Sequence, residues 1–151
     1  MIKLHTIDVR IYYEDTDAGG IVYYANYLKF FERSRSDWLR AQGIDHQGLA
    51  AQGLGLVVRS CSIDYRRPAR LDDLLAVDTG MLDPRLDIRR ASIRLQHQAR
   101  RQSDDALLVS GQVQIACVEL AAARPAPLPD DVLEQLSAHA RSCGSRPDGA
   151  L

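Results

Sequence analysis

The 151-residue chain has almost no lysine: 2 Lys stand against 17 Arg. Charge of one sign is lacking too, because 19 basic and 20 acidic residues leave a formal net charge of -1. That balance excludes a histone-like or polybasic nucleic-acid binder, which needs an overall positive field. The scarcity of Lys leaves two readings open, a coding bias towards Arg or a use for the guanidinium fork on phosphate oxygens. No apolar stretch approaches the roughly 18 to 20 residues that cross a bilayer, and residues 1–15 are broken by His5, Asp8, Arg10, Glu14 and Asp15. The expectation is a chain with no transmembrane segment and no export signal. Cysteine is scarce and odd in number: Cys61, Cys117 and Cys143 lie far apart, without a Cys-x-x-Cys pair or a His at zinc-ligand spacing. These read as reduced thiols of a cytoplasmic protein, two in strands and one in a tail, with no metal site. A Gly-x-Ser-x-Gly elbow is missing as well, so a Ser-His-Asp hydrolase of that type is excluded.

What is present is a globular composition, 46% hydrophobic and 26% charged. It predicts one domain over residues 1–140 and a flexible tail over 141–151. Residues 6–13 alternate, with Ile7, Val9 and Ile11 on one face, as in a half-buried strand. From Tyr24 the apolar positions Tyr24, Tyr27, Leu28, Phe31, Trp38 and Leu39 keep helical spacing, and Gly43 supplies a stop. A short helical turn is expected at 47–52, strands at 56–65, 74–82, 88–98 and 107–120, and a short helix from Pro129 to about His139. One long helix among five strands makes an antiparallel-rich α+β layer. A helix of about 18 residues, roughly 27 Å, covers one sheet face only. The other face and the edges need a second copy, so the chain is expected to be a homo-oligomer.

The loop between the first strand and the long helix holds Glu14, Asp15 and Asp17 beside Gly19-Gly20. Carboxylates at a helix entry suit a general base or nucleophile, with helix-entry amides free to stabilise an oxyanion. An acidic loop or a cation site is the competing reading, although no Glu stands where an EF-hand would need its twelfth ligand.

Residues 13–27 read Tyr-Glu-Asp-Thr-Asp-Ala-Gly-Gly-Ile-Val-Tyr-Tyr-Ala-Asn-Tyr. This run resembles the signature of hotdog-fold acyl-CoA thioesterases of the 4-hydroxybenzoyl-CoA thioesterase type, closest to the acyl-CoA thioester hydrolases associated with the Tol-Pal system. The Phe-Phe-Glu-Arg-Ser-Arg stretch of the helix and Ile63-Asp64-Tyr65-Arg66-Arg67-Pro68-Ala69 extend the likeness, which spans about residues 7–120. The resemblance implies a curved antiparallel sheet of about five strands wrapped around one helix, pairing as a homodimer or homotetramer. It implies hydrolysis of acyl-CoA, or of acyl-carrier-protein thioesters, without a cofactor. Asp17 matches the carboxylate that attacks the thioester or activates water, and the backbone amide near Tyr24 matches the group that polarises its carbonyl. Many Tol-Pal-associated relatives have His where this chain has Tyr24.

Coenzyme A carries phosphates, and the Arg excess is local: residues 85–101 are net +5 and residues 59–70 net +3. Arg89 and Arg90 are the first candidates to bind them. The backbone of Val58, Arg59 and Ser60 from a neighbouring subunit is implied by the resemblance. Asn26 is expected either to cap the helix or to hold a water near Asp17, and His97 to be structural. A non-catalytic acyl-CoA or acyl-carrier binder, or a scaffold partner of envelope and phospholipid metabolism, are the rival functions; the acyl group is not readable from spacing.

Overall fold

The first strand, β1 (Ile2–Arg10), changes the parity of its buried side chains partway along. Its register against its neighbour shifts between Lys3 and His5. A bulge of this kind swaps the face that odd and even positions meet, so Leu4 and Val9 are both buried. That is why simple alternation is legible only from about residue 6. The structure is a computed structural model that describes residues 1–145.

After a single 3-10 turn (Tyr13–Asp15) and a tight hairpin, the chain enters α1 (Asn26–Ala41). Tyr27, Phe30, Phe31, Ser34, Arg35, Trp38 and Leu39 form its buried face. Tyr24 and Leu28, expected on that stripe, are 61% and 41% exposed. Tyr24 lies before the helix begins, and Phe30 is a core position that the expected stripe did not include. Next come α2 (His46–Ala51), capped by the Asp45 carboxylate on the Gly48 N–H, and the strands β2 (Leu54–Tyr65) and β3 (Leu74–Met81).

The strand expected over 88–98 begins later. Asp83 accepts the Arg85 N–H and Pro84 opens a short helix, α3 (Pro84–Asp87), so β4 runs over Ser92–Arg101. The remaining elements are β5 (Ala106–Glu119), β6 (Arg124–Pro125) and α4 (Asp130–Gly144). Residues 141–144, expected in a tail, are the last turn of α4, which also carries Cys143; residues 146–151 lie outside the described part.

The sheet is antiparallel in the order β1-β3-β4-β5-β2, with β6 on the end of β5. Curled around α1, it is the hotdog arrangement that the resemblance implied. The short helix expected from Pro129 is α4, a turn longer than expected, and its role as a second cover is not foreseen from the sequence. Its Val132, Leu136 and Ala140 join Trp38, Leu39 and Leu4 in one core cluster, and Trp38 Nε1 donates to His139 Nδ1 at 3.0 Å. A second cluster under the first half of α1 holds Tyr27, Phe30, Phe31, Val77, Ala99 and Val109. Gly111 permits this packing, since a Cβ there would lie 3.0 Å from the Phe31 ring and 3.2 Å from the Ser62 carbonyl. Helix α1 lies over β1, β3 and β4, whereas β2 pairs only with β5 and is exposed from Val57 to Ser62.

The core contains one polar string. Ser34 Oγ donates to the Val77 carbonyl at 3.0 Å and lies 2.7 Å from Thr79 Oγ1, which lies 3.3 Å from His97 Nδ1. His97 Nδ1 also faces the Asp78 carbonyl at 3.2 Å, an atom that can only accept, so Nδ1 carries the proton. The ring stacks on Phe31 at 4.9 Å, and Nε2 is buried with no partner among the described residues. Burial, with Arg35 nearby, pushes its pKa down to about 3. His97 is therefore structural and neutral. Its folded pKa lies below its unfolded one, so its contribution is complete above about pH 6.5 and is lost as pH falls towards 3. Unfolding by urea at a series of pH values should show the wild type losing about 1.4 kcal/mol more per pH unit than His97→Gln in that window. Parallel curves would show that His97 can be protonated in the fold.

Candidate active site

The loop at the entry to α1 is a hairpin whose two arms are tied by backbone bonds. Thr16 and Val22 form an antiparallel bridge, Asp17 N–H donates to the Ile21 carbonyl at 2.9 Å, and Gly20 N–H closes on the Asp17 carbonyl at 3.0 Å. Gly20 has φ +80°, which suits glycine at this turn. Gly19 serves a different need. Asp17 Oδ1 accepts its N–H at 2.8 Å, and a Cβ at Gly19 would sit 3.2 Å from that oxygen. The other oxygen, Oδ2, has no hydrogen-bond or ion-pair partner among the described residues, and Asp17 is exposed. One oxygen is held by the turn and the other is left open.

Asp15 has a different task from Asp17. Its carboxylate accepts the Tyr12 N–H at 2.9 Å, and its carbonyl accepts both Tyr23 N–H at 3.0 Å and Asn26 Nδ2 at 2.9 Å. Asn26 thus does not cap α1, whose N-cap is Ala25; its amide ties the helix to the loop. The two carboxylates fold onto different amides, and among the described residues no three His, Cys, Asp or Glu side chains cluster as a metal site.

Tyr24 lies in the turn before α1. Its N–H finds no acceptor among the described residues, as expected where amides precede the first helical carbonyls. Its carbonyl accepts the Tyr65 hydroxyl at 2.9 Å, and its ring meets Tyr23 and Tyr65 edge-on. Beside it is a cavity of about 280 Å³ lined by Tyr24, Tyr27, Tyr65, Ile21, Val22 and Pro68, with Arg66 and Arg67 at its side. Tyr27 Oη accepts the Ala69 N–H at 3.3 Å, while the Ala69 carbonyl accepts Val22 N–H at 2.9 Å. Burial raises the Tyr27 pKa, against that bond, and desolvation raises that of Tyr65. Both phenols stay neutral near pH 7.

Sequence reasoning did not single out Tyr65, Arg66 or Arg67 as site residues. The usable signal was the segment 63–69 in the resemblance. The cause of their placement is a bulge in β5: Ala99 faces Val109 and Arg100 faces Leu107, leaving Leu108 unpaired in the ladder. The Leu108 carbonyl accepts both Arg66 N–H at 2.8 Å and Arg67 N–H at 3.1 Å, which ends β2 beside Tyr24.

Within one protomer the other candidates lie elsewhere. Arg89 and Arg90 are exposed just before β4, where the Arg90 carbonyl accepts the Leu128 N–H. The Asp17 hairpin adjoins Arg70, near the far end of β4, where Arg101 lies 3.9 Å from Asp73. The 10 residues of β4 separate these ends by about 30 Å. Val58, Arg59 and Ser60 are on the unpaired edge of β2, whose register against β5 shifts at Arg59.

Residues 11–136 match the thioesterase-like superfamily. The chain is 42% identical over 125 residues to the acyl-CoA thioesterase YbgC of Haemophilus influenzae, covering 82% of this chain and 88% of that protein. It is 36% identical over 127 residues to the acyl-CoA thioester hydrolase YbgC of Escherichia coli, covering 84% and 91%. Among solved structures, a probable thioesterase from Bartonella henselae superposes with a TM-score of 0.74 at 35% identity, over 83% of this chain and 98% of that one. With its fold and most of its length shared in this way, the chain belongs to the thioesterase-like superfamily.

Proposed function

We propose that this chain hydrolyses acyl-CoA thioesters to the free acid and CoA, with Asp17 as nucleophile or general base. The observation that carries this reading is the pairing, on two arms of one hairpin, of a carboxylate with a free oxygen and a Tyr24 amide with no acceptor. As nucleophile, Asp17 Oδ2 adds to the thioester carbon and CoA thiolate leaves; water then cleaves the mixed anhydride. As base, Asp17 takes a proton from the attacking water, and that proton is available to the departing thiolate. In either route the carbonyl oxygen gains negative charge, and the Tyr24 N–H beside the positive end of α1 stabilises it. The naming of the YbgC relatives as acyl-CoA hydrolases supports the substrate class. The cavity beside Tyr24, walled mainly by tyrosine and aliphatic groups, suits an apolar acyl or pantetheine segment.

The CoA phosphates need cations, and Arg66 and Arg67 are those beside the cavity. Arg89, Arg90 and the Val58–Ser60 backbone reach the site only from a second copy. Two β2 edges paired antiparallel about a two-fold axis bring the opposite end of the partner's sheet towards the Asp17 hairpin. The working unit is thus a dimer, alone or within a tetramer. A cytoplasmic setting accords with the three free thiols Cys61, Cys117 and Cys143, and the likeness to YbgC supports a role alongside the Tol-Pal system.

Thiol release from a panel of short, long and aromatic acyl-CoAs tests the reading. Asp17→Asn is expected to fold as the wild type and to lose roughly a hundredfold or more in kcat. Tyr24→Phe should keep about the wild-type rate, since the working group is the amide. Undiminished turnover in Asp17→Asn would remove Asp17 from the chemistry, and saturable CoA binding without thiol release in the wild type would mark a binding protein.

The shared site is tested by mixing. Asp17→Asn and the double variant Arg89→Glu/Arg90→Glu are each expected to be weakly active alone. Equal amounts, unfolded and refolded together, should regain about a quarter of wild-type activity, because half the dimers are mixed and each of those holds one intact site. No recovery would mean that Arg89 and Arg90 do not complete the partner's site.

A further inference from the structure

Helix α1 carries two acid–base pairs at the same i, i+3 spacing and in the same order, and they behave differently. Asp37 and Arg40 close an ion pair at 2.8 Å on the solvent side. Glu32 and Arg35 form no such pair among the described residues; the Glu32 carboxylate accepts the Ser36 hydroxyl at 2.8 Å instead. Arg35 is only 9% exposed and has no hydrogen-bond partner among the described residues. It lines a cavity of about 200 Å³ between α1 and the bare strand β2, with Glu32, Leu39, Leu56, Val58 and Ile115. Burial lowers its pKa, opposed by Glu32. The Arg35 side chain is largely buried, its guanidinium opens onto this cavity, and its five N–H donors have no protein acceptor among the described residues.

We propose that Arg35 is met by Glu32 of the partner subunit, and that the reverse pair forms across the same two-fold axis. A two-fold interface is self-complementary: if residue i touches residue j of the partner, j touches the partner's i. An unpaired cation and an unpaired anion on one face of one helix satisfy that condition with another copy of the same chain. The adjoining surface fits the same occupant. Val57 and Val58 are 46% and 52% exposed on the free edge of β2, and Leu28 is 41% exposed one turn before Glu32. Pairing two β2 edges antiparallel sets two α1 helices side by side in opposite directions, which brings Glu32 of each towards Arg35 of the other. The inference rests on the two-fold reading above and adds the charges that select it.

Sedimentation velocity over a dilution series, with circular dichroism to monitor folding, tests the pair. Arg35→Glu and Glu32→Arg are each expected to raise the dimer dissociation constant roughly a hundredfold or more, since each leaves like charges buried together. Mixed with one another, the two single variants should dimerise nearly as tightly as wild type, because one presents two acids and the other two bases. The combined Glu32→Arg/Arg35→Glu exchange should restore self-association, and should do so even if the single variants fold poorly. Single variants that self-associate as wild type would overturn the pair. So would a mixture or a combined exchange that stays monomeric. If the single variants remain dimeric but lose turnover of an acyl-CoA bearing a terminal carboxylate, Arg35 meets the acyl group and the pair is overturned. A wild type that is monomeric at micromolar concentration would remove both the pair and the shared site while leaving the Asp17 assay untouched, so the failures are distinguishable.

Discussion

Two hydrogen bonds to one atom, the carbonyl oxygen of Asp15, join the acidic loop to the long helix. One comes from Tyr23 N–H and the other from Asn26 Nδ2, at 3.0 and 2.9 Å. They hold the hairpin against the start of α1, so that Asp17 and the Tyr24 amide occupy the two arms of one small unit. Ala69 pins the second arm from the other side, accepting Val22 N–H while donating to Tyr27 Oη. Without these bonds the Asp17 carboxylate would sit on a loop with three acidic side chains in four positions, a sequence that repels itself. The division of labour between Asp15 and Asp17 removes that conflict.

The second constraint is one of coverage. Sixteen helical residues of α1 span about 24 Å and lie over β1, β3 and β4. Helix α4 seals the end near Trp38. Neither covers the free edge of β2, exposed from Val57 to Ser62, which leaves a long strand with an open backbone edge, a feature that single domains seldom leave uncovered. The bare strand begins at α2 and ends at Tyr65 beside the cavity, so the uncovered edge and the candidate site are parts of one surface.

Much of this is legible in the amino-acid order, and the illegible parts have physical causes. Asp17 and the helix entry are readable because a glycine-ended turn and a helical stripe constrain neighbours within a few residues. The strand ends blur where bulges occur. Lys3–His5 and Val58–Ser60 shift register, and Leu108 drops out of its ladder, each breaking a strict period of two. Leu108 is the instructive case, since its displaced carbonyl positions Arg66 and Arg67. Arg89 and Arg90 stand out as part of a basic run, yet a local charge count cannot say which end of a sheet they occupy. Asp78 is missed for a related reason. It is fully buried, 2.9 Å from Arg100 and bonded by Thr6 at 2.7 Å, and those partners come from two other strands.

Exposure of Asp17 sharpens the meaning of the near-neutral net charge. In open water the attraction between a carboxylate or oxyanion and a single amide is heavily damped, and the same groups act far more strongly once water is excluded. The hairpin alone does not exclude it, because Asp17, Gly19 and Gly20 are all exposed and Tyr24 is 61% exposed. A covering surface that brings cations towards the phosphate end and apolar groups towards the tyrosine cavity would therefore do two things at once, holding CoA and strengthening the oxyanion contact. Residues 59–70 and 85–101 hold that excess of positive charge in the same chain. An overall charge of -1 thus arises from an acidic hairpin and basic strands that neutralise one another in sum while remaining apart in one protomer. Their separation within a single copy is the observation from which the proposal of a site shared between two copies starts.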